Sequence, residues 1–384
     1  MDSQQIIKRC TEIYEDLDFN YVKEWRKKTG GQAIGILPIY FPKEILHAAG
    51  VLPVELYGGG DMIDVVKGDS FYQSYICRLP RSMIDLGLSG KLDHIAGLIC
   101  PFTCDVVRNF TGVWGLLFPD KYVRFFDQPQ NYDPEIGGEY LISQFNEVIG
   151  VLEGFGRKVT SDRLNASIDL YNKNRELIRK LYKMRADQPW QVPTYEVYLL
   201  TRAGGILEVS EFNQFLIQYM DTVQEIDRKP LDNVRVVISG AFCEQPPLNL
   251  IKVIELAGCY VVDDDFLLGN RYLDCEVENG DNPLKSLSQA YLDSQVPSSC
   301  RFEEYNPKSD RLVKMVKARN AEGVIFAAPS FCDPALEDRP CYQQEMEAEN
   351  IRYMSMQYAE DTRQLNLIRE QVGTFADSIK LSEG

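Results

Sequence analysis

The chain is 384 residues long, 45% hydrophobic and 26% charged, with a formal net charge of −16. That length suffices for two ordinary domains and a sizeable core, and the acidic balance argues against nucleic acid, which needs clustered Lys and Arg. No run of about 18 uncharged apolar residues predicts a membrane-spanning helix, and only two histidines, His47 and His94, are present for His-based zinc sites or acyl-transfer triads.

The opening MDSQQIIKRCTEIYEDLDF mixes acids and bases where a signal peptide carries an apolar stretch. The protein is therefore expected in the cytoplasm, where disulfides are rare and thiols stay available as ligands. Residues 1–29 read as a polar helical region. AIGILPIY (33–40) is a predicted strand, Pro42 opens the helix PKEILHAAG, and Gly50 closes it. VLPVELYG begins the next strand at Val51, and Gly58, Gly59 and Gly60 read as a turn. A helix over 75–89, a strand over 94–99 begun by His94, a helix over 104–117 and the strand KYVRFF (121–126) follow. His47, inside a helical pattern, and His94 both read as packing or capping residues.

From about 135 to 227 the strand signal disappears. YLISQFNEVIGVLEGF, SDRLNASIDLYNKNRELIRKLYKMR and EVSEFNQFLIQYMDTVQEI read as helices. The second carries one apolar face at Leu164, Ile168, Tyr171, Leu177, Ile178 and Leu181. Strands then return: VRVVISG (234–240), CYVVDDD (259–265), GVIFAAP (323–329) and IRYMSMQ (351–357), alternating with helices. Strands that are apolar throughout and alternate with helices predict parallel sheets covered on both faces. The expected fold is α/β, with two doubly wound, flavodoxin- or Rossmann-like domains at 1–134 and 231–384 joined by a helical bridge at 135–230.

Ligands in such sheets bind outside the carboxyl ends of the strands. Cys100 and Cys104 fall near the end of one strand, Cys332 after another and Cys243 after a third, while Cys77 opens the helix leading to the first. Helix N-termini favour thiolates, and thiolates hold iron–sulfur clusters. No CxxC pair and no standard ligand spacing occurs, so spacing alone leaves a metal site and buried thiols as alternatives. Cys10, Cys259, Cys275 and Cys300 read as small buried hydrophobes, and Cys341 as a weaker candidate. No GxxxxGK[ST] or GxGxxG loop is present. Asp263, Asp264 and Asp265 read as a solvated loop or interface feature, with a cation or polar ligand group as the alternative. Tyr40 and Glu55 fall at the ends of the first two strands. Glu55 is a candidate for orienting a carbonyl or moving a proton, against a satisfied interface carboxylate.

IYFPKEILHAAGVLPVELYGG, CRLPRSMIDLGLSG with CPFTCDVVRN, GCYVVDDDFLLGNRY and FAAPSFCDPALEDRP together resemble the 2-hydroxyacyl-CoA dehydratase / benzoyl-CoA reductase superfamily. GAFCEQPPLNLI and VVDDDFLLGNR are most similar to the C, or gamma, subunits of its ATP-dependent benzoyl-CoA reductases. The resemblance implies a 4Fe–4S cluster between the two domains, with Cys77, Cys104 and Cys332 as ligands. Cys100 has no counterpart in the motif and is left as a bystander, a fourth ligand or part of a second cluster. It further implies a cytoplasmic hetero-oligomer of anaerobic aromatic degradation. Its partners would be a homologous sister subunit, two ATP-hydrolysing electron-activating subunits and ferredoxin. The implied activity is that of an oxidoreductase on CH–CH groups: single-electron reduction of benzoyl-CoA, or a related acyl-CoA, to a cyclic dienoyl-CoA. The alternatives are a subunit of a 2-hydroxyacyl-CoA dehydratase, which is a lyase, a stand-alone iron–sulfur small-molecule reductase, and a metal-free binding subunit.

Overall fold

The structure, a computed structural model, describes residues 1–240, 245–266, 269, 275–294, 308–359 and 364–382. It contains two four-stranded sheets. The first is built from β1 (Ala33–Ile36), β2 (Leu52–Glu55), β3 (Gly97–Pro101) and β4 (Tyr122–Phe126), in the order β2-β1-β3-β4. The second is built from β5 (Val234–Gly240), β6 (Cys259–Asp264), β7 (Gly323–Pro329) and β8 (Arg352–Tyr358), in the order β6-β5-β7-β8. Every pairing is parallel. Each sheet thus runs outward in both directions from its first strand, and the reversal lies between β1 and β3, and between β5 and β7.

Both sheets are covered on two faces, as apolar parallel strands require. Helix Ser3–Glu15, started by an Asp2–Gln5 capping box, shares one core of the first sheet with helices Arg78–Leu88, Asp105–Leu117, Thr194–Gly204 and Val209–Thr222. Helices Lys43–Ala48, Glu139–Phe155 and Ser161–Asp187 fill the other face. They are joined there by helix Pro283–Asp293, which returns from the second half of the chain. Helices Leu248–Leu256 and Leu365–Lys380 cover one face of the second sheet, and Ser309–Ala318 and Arg339–Ala348 the other.

Several elements differ from the sequence reading. β1 stops at Ile36, because Ile39 and Tyr40 turn through left-handed conformations (φ 68° and 64°). β3 begins at Gly97 rather than His94, and it contains Cys100 instead of ending before it. Helices Thr194–Gly204 and Pro283–Asp293 escaped the periodicity reading. The glycine run does turn, with Gly58 and Gly60 at positive φ.

The acidic run is not a solvated loop: Asp263, Asp264 and Asp265 are all buried. Arg185, fully buried on the long helix Ser161–Asp187, places its guanidinium 2.7 Å from Asp264 and 4.3 Å from the centre of the Tyr182 ring. Asp263 receives Arg319 Nε at 2.6 Å, and Asp265 accepts the Gly240 amide at 3.0 Å. The Arg185–Asp264 contact therefore ties the helical segment to the second sheet. Replacing one member of a buried pair strands the other charge, at a cost of about 3–5 kcal/mol. Arg185→Met should lose stability of that order in urea unfolding; an unchanged midpoint would contradict the role given to the pair.

Candidate functional site

The three expected cysteines occupy one kind of position. Cys77 caps helix Arg78–Leu88, Cys104 caps Asp105–Leu117, and Cys332 caps the short helix Asp333–Glu337. Each is partly exposed. Cys104 and Cys332 follow β3 and β7, the equivalent strands of the two sheets, just beyond the reversal of strand order. That crevice is where open parallel sheets hold ligands. Cys77 and Cys104 pack against the same core cluster, and Ala335, three residues past Cys332, packs against it too. Phe331, just before Cys332, is held at φ 66° and is half exposed.

At Cys104 burial raises the thiol's pKa, while the backbone N–H groups of Val106 and Val107 and the Thr103 hydroxyl oppose that shift. These are the unpaired amides of a helix's first turn, which suit an anionic sulfur. Cys100 differs. It is fully buried inside β3, and burial pushes its thiol up to about 12. Burial raises the Tyr72 phenol, and its nearness to Cys77 and Cys100 adds to the shift.

Among the described residues no three His, Cys, Asp or Glu side chains are gathered tightly enough for a single metal ion. A polynuclear cluster interposes its own iron and sulfide atoms between the ligands and asks for thiols set farther apart. The donor chemistry of Cys77, Cys104 and Cys332, three thiols at helix N-caps, fits such a group. Of the other cysteines, Cys10 and Cys259 are core residues. Cys275 is partly exposed and Cys341 exposed, while Cys243 and Cys300 lie outside the described residues.

Glu55 sits elsewhere. It ends β2 at the wall of a cavity of about 460 Å³ between the first sheet, the helical segment and the second half of the chain. Phe41, Tyr171 and Tyr291 supply apolar walls, and Arg311 and Lys314 face in from helix Ser309–Ala318. Glu55 is buried, accepts Lys43 Nζ at 2.7 Å, and accepts a short hydrogen bond from the Tyr57 hydroxyl. Its own amide donates to the Gly205 carbonyl at 2.7 Å. Tyr40 does not reach this cavity; it packs in the core, and its carbonyl accepts Gln128 Nε2 at 2.8 Å.

A family model described as the 2-hydroxyglutaryl-CoA dehydratase D-component matches residues 38–379. The chain belongs to this family. It is 49% identical over 384 residues to the C subunit of benzoyl-CoA reductase from Thauera aromatica, covering 99% of this chain and all of the relative. The (R)-phenyllactyl-CoA dehydratase beta subunit of Clostridium sporogenes is 24% identical, covering 94% of this chain and 95% of that one. The beta subunit of (R)-2-hydroxyglutaryl-CoA dehydratase from Acidaminococcus fermentans is 26% identical, covering 92% of this chain and 94% of that subunit. Family membership thus spans both halves of the chain, including Cys77, Cys104, Cys332 and Glu55.

Sequence reasoning missed Lys43, Tyr57, Arg202 and Gly205 around Glu55. The available signal was YLLTRAGG: one arginine in an apolar run, then a glycine pair. A side chain at Gly205 would sit 2.8 Å from both Glu55 Oε2 and Tyr57 Oη. For the thiols, a value near 12 leaves Cys100 ionised at roughly one part in ten thousand at pH 8. Iodoacetamide at that pH should label exposed Cys341 and spare Cys100 in the folded chain, as read by peptide mass mapping. Early labelling of Cys100 would contradict its placement.

Proposed function

We propose that the chain is the cluster-bearing subunit of an ATP-dependent, ferredoxin-linked benzoyl-CoA reductase. The observation that carries this reading is the identity of 49% with the C subunit of a benzoyl-CoA reductase along the full length of both chains. Cys77, Cys104 and Cys332 would hold a 4Fe–4S cluster in the crevice between the two sheets. Such a cluster supplies single electrons, at a potential set by its charge, its hydrogen bonds and its exposure to solvent. Cys100 packs beside this site as a neutral thiol and is the remaining candidate for a further ligand. Electrons would come from ferredoxin through two ATP-hydrolysing subunits, and a homologous sister subunit would complete the cytoplasmic complex. Among the described residues no helix is long and apolar enough to cross a membrane.

Reduction of benzoyl-CoA to a cyclic dienoyl-CoA adds two electrons and two protons to the ring. The protons need protein groups beside the ring. Glu55 and Lys43, hydrogen-bonded at 2.7 Å on the wall of the interdomain cavity, would serve that task. The carboxylate fixes the ammonium, and the pair can pass a proton without separating unpaired charge in a buried site. Tyr40 contributes through the turn that sets the cavity's edge at Phe41.

The dehydratase beta subunits at 24% and 26% identity, and the description of the family model, favour a second reading as a 2-hydroxyacyl-CoA dehydratase subunit. The complex reconstituted with reduced ferredoxin and ATP should consume benzoyl-CoA. Loss of hydroxyl from a 2-hydroxyacyl-CoA without any consumption of benzoyl-CoA would replace the first reading by the second. Glu55→Gln should lower kcat about 10²–10⁴-fold, the range of general acid–base effects, and leave the iron content unchanged.

A further inference from the structure

Arg202 lies on helix Thr194–Gly204, and its surroundings are unusual for a guanidinium. Its central carbon is 4.2 Å from the centre of the Tyr57 ring, 4.9 Å from Tyr14 and 5.5 Å from Tyr198. It donates to the Tyr198 hydroxyl at 2.6 Å, which in turn donates to the Pro246 carbonyl at 2.6 Å. Among the described residues no carboxylate forms an ion pair with it; its neighbours there are ring faces and one hydroxyl. An arginine that serves only to tie elements together commonly pairs with a carboxylate, as Arg185 does here. Arg202 instead directs its charge at π faces, and the nearest of them belongs to the phenol that hydrogen-bonds Glu55.

We propose that Arg202 is a positioning residue for Glu55: it clamps the Tyr57 phenol in the orientation that donates to Glu55 and strengthens that donor. The proposal rests on the reading of Glu55 as the proton-handling group. A cation over the face of a phenol is attracted by the ring, by about 0.5–2 kcal/mol. It also draws electron density from the ring, which makes the O–H a better donor. A hydrogen bond donated to a carboxylate stabilises the charged form and lowers its proton affinity. Tyr57 itself keeps its proton, because burial and the Glu55 charge hold its pKa well above the ordinary tyrosine value.

The other groups that face Glu55 leave room for this control. Lys43 donates from helix Lys43–Ala48. Buried Tyr171 on the long helix and partly buried Tyr291 on helix Pro283–Asp293 lie close enough to feel the Glu55 charge. The Glu44 carboxylate is matched by Arg175 at 2.6 Å. Among the described residues Lys43 is thus a direct cationic partner and Tyr57, backed by Arg202, a second donor, while Arg311, Lys314 and Arg319 line the same cavity.

The test is the pH dependence of kcat/KM for benzoyl-CoA in the reconstituted complex. The limb due to Glu55 is the one that disappears in Glu55→Gln. Loss of a donor or of a nearby cation raises a carboxyl's proton affinity, so the limb moves to higher pH whichever protonation state turns over. Tyr57→Phe and Arg202→Met should each move it upward by roughly half a unit to one unit. Arg202→Lys, which keeps the charge but not the planar stack, should move it less. Should Arg202→Met fail to fold, Arg202→Lys against Tyr57→Phe decides. A limb that vanishes in Glu55→Gln but stays fixed in the Arg202 variants, whatever their stability, overturns the role of Arg202 alone. A limb that persists in Glu55→Gln overturns the reading of Glu55, and this role with it.

Discussion

The constraint on which the structure depends is the parallel direction of all strands in each sheet. Parallel pairing places every carboxyl end of a sheet on one edge, and the order β2-β1-β3-β4, repeated as β6-β5-β7-β8, opens a crevice at the same place in each half. The chain leaves β3 and β7 at that crevice, and in both cases the next helix begins at a cysteine. Cys104 and Cys332 therefore stand at helix starts because of where parallel strands end, with Cys104 near the amides of Val106 and Val107, and Cys77 stands at the start of the helix that precedes β3.

The two halves are not independent blocks. Helix Pro283–Asp293 leaves the second half to complete the core under the first sheet, and Arg185 reaches from the helical segment to Asp264 on β6. The cavity beside Glu55 is bounded by all three parts. Rearrangement of one half against the other would thus be felt at the cavity as well as at the cysteines. Two separate groups stand at carboxyl ends of strands: the thiols after β3 and β7, and Lys43, Glu55 and Tyr57 at the end of β2.

The strand–helix alternation was legible because buried parallel strands are short apolar runs that end at Gly, Pro or Asp. Two of the capping cysteines, Cys104 and Cys332, were legible for the same reason: each stands where such a run gives way to a helix. Cys100 was misplaced by position alone, since a strand's last residues and its loop look alike in HIAGLICPFTC. The acidic run at Asp263 was misread because its compensating charges, Arg185 and Arg319, are distant in sequence. Helix Thr194–Gly204 was missed because it is buried on nearly every side, Thr194 and Glu196 included, and so lacks an exposed polar stripe. With it went Arg202 and the close approach of Gly205 to Glu55, which depend on packing between segments far apart in the chain.

The central claim is that thiols from both sheets hold one cluster. Its most direct test is the iron and acid-labile sulfide content of anaerobically purified protein in which Cys77, Cys104 or Cys332 is changed singly to Ser, with Cys275→Ser as the control. The account predicts about four iron and four sulfide per chain in the wild type and the control, as a 4Fe–4S group requires, and loss of iron in each of the other three. Full iron retention in all three would contradict it.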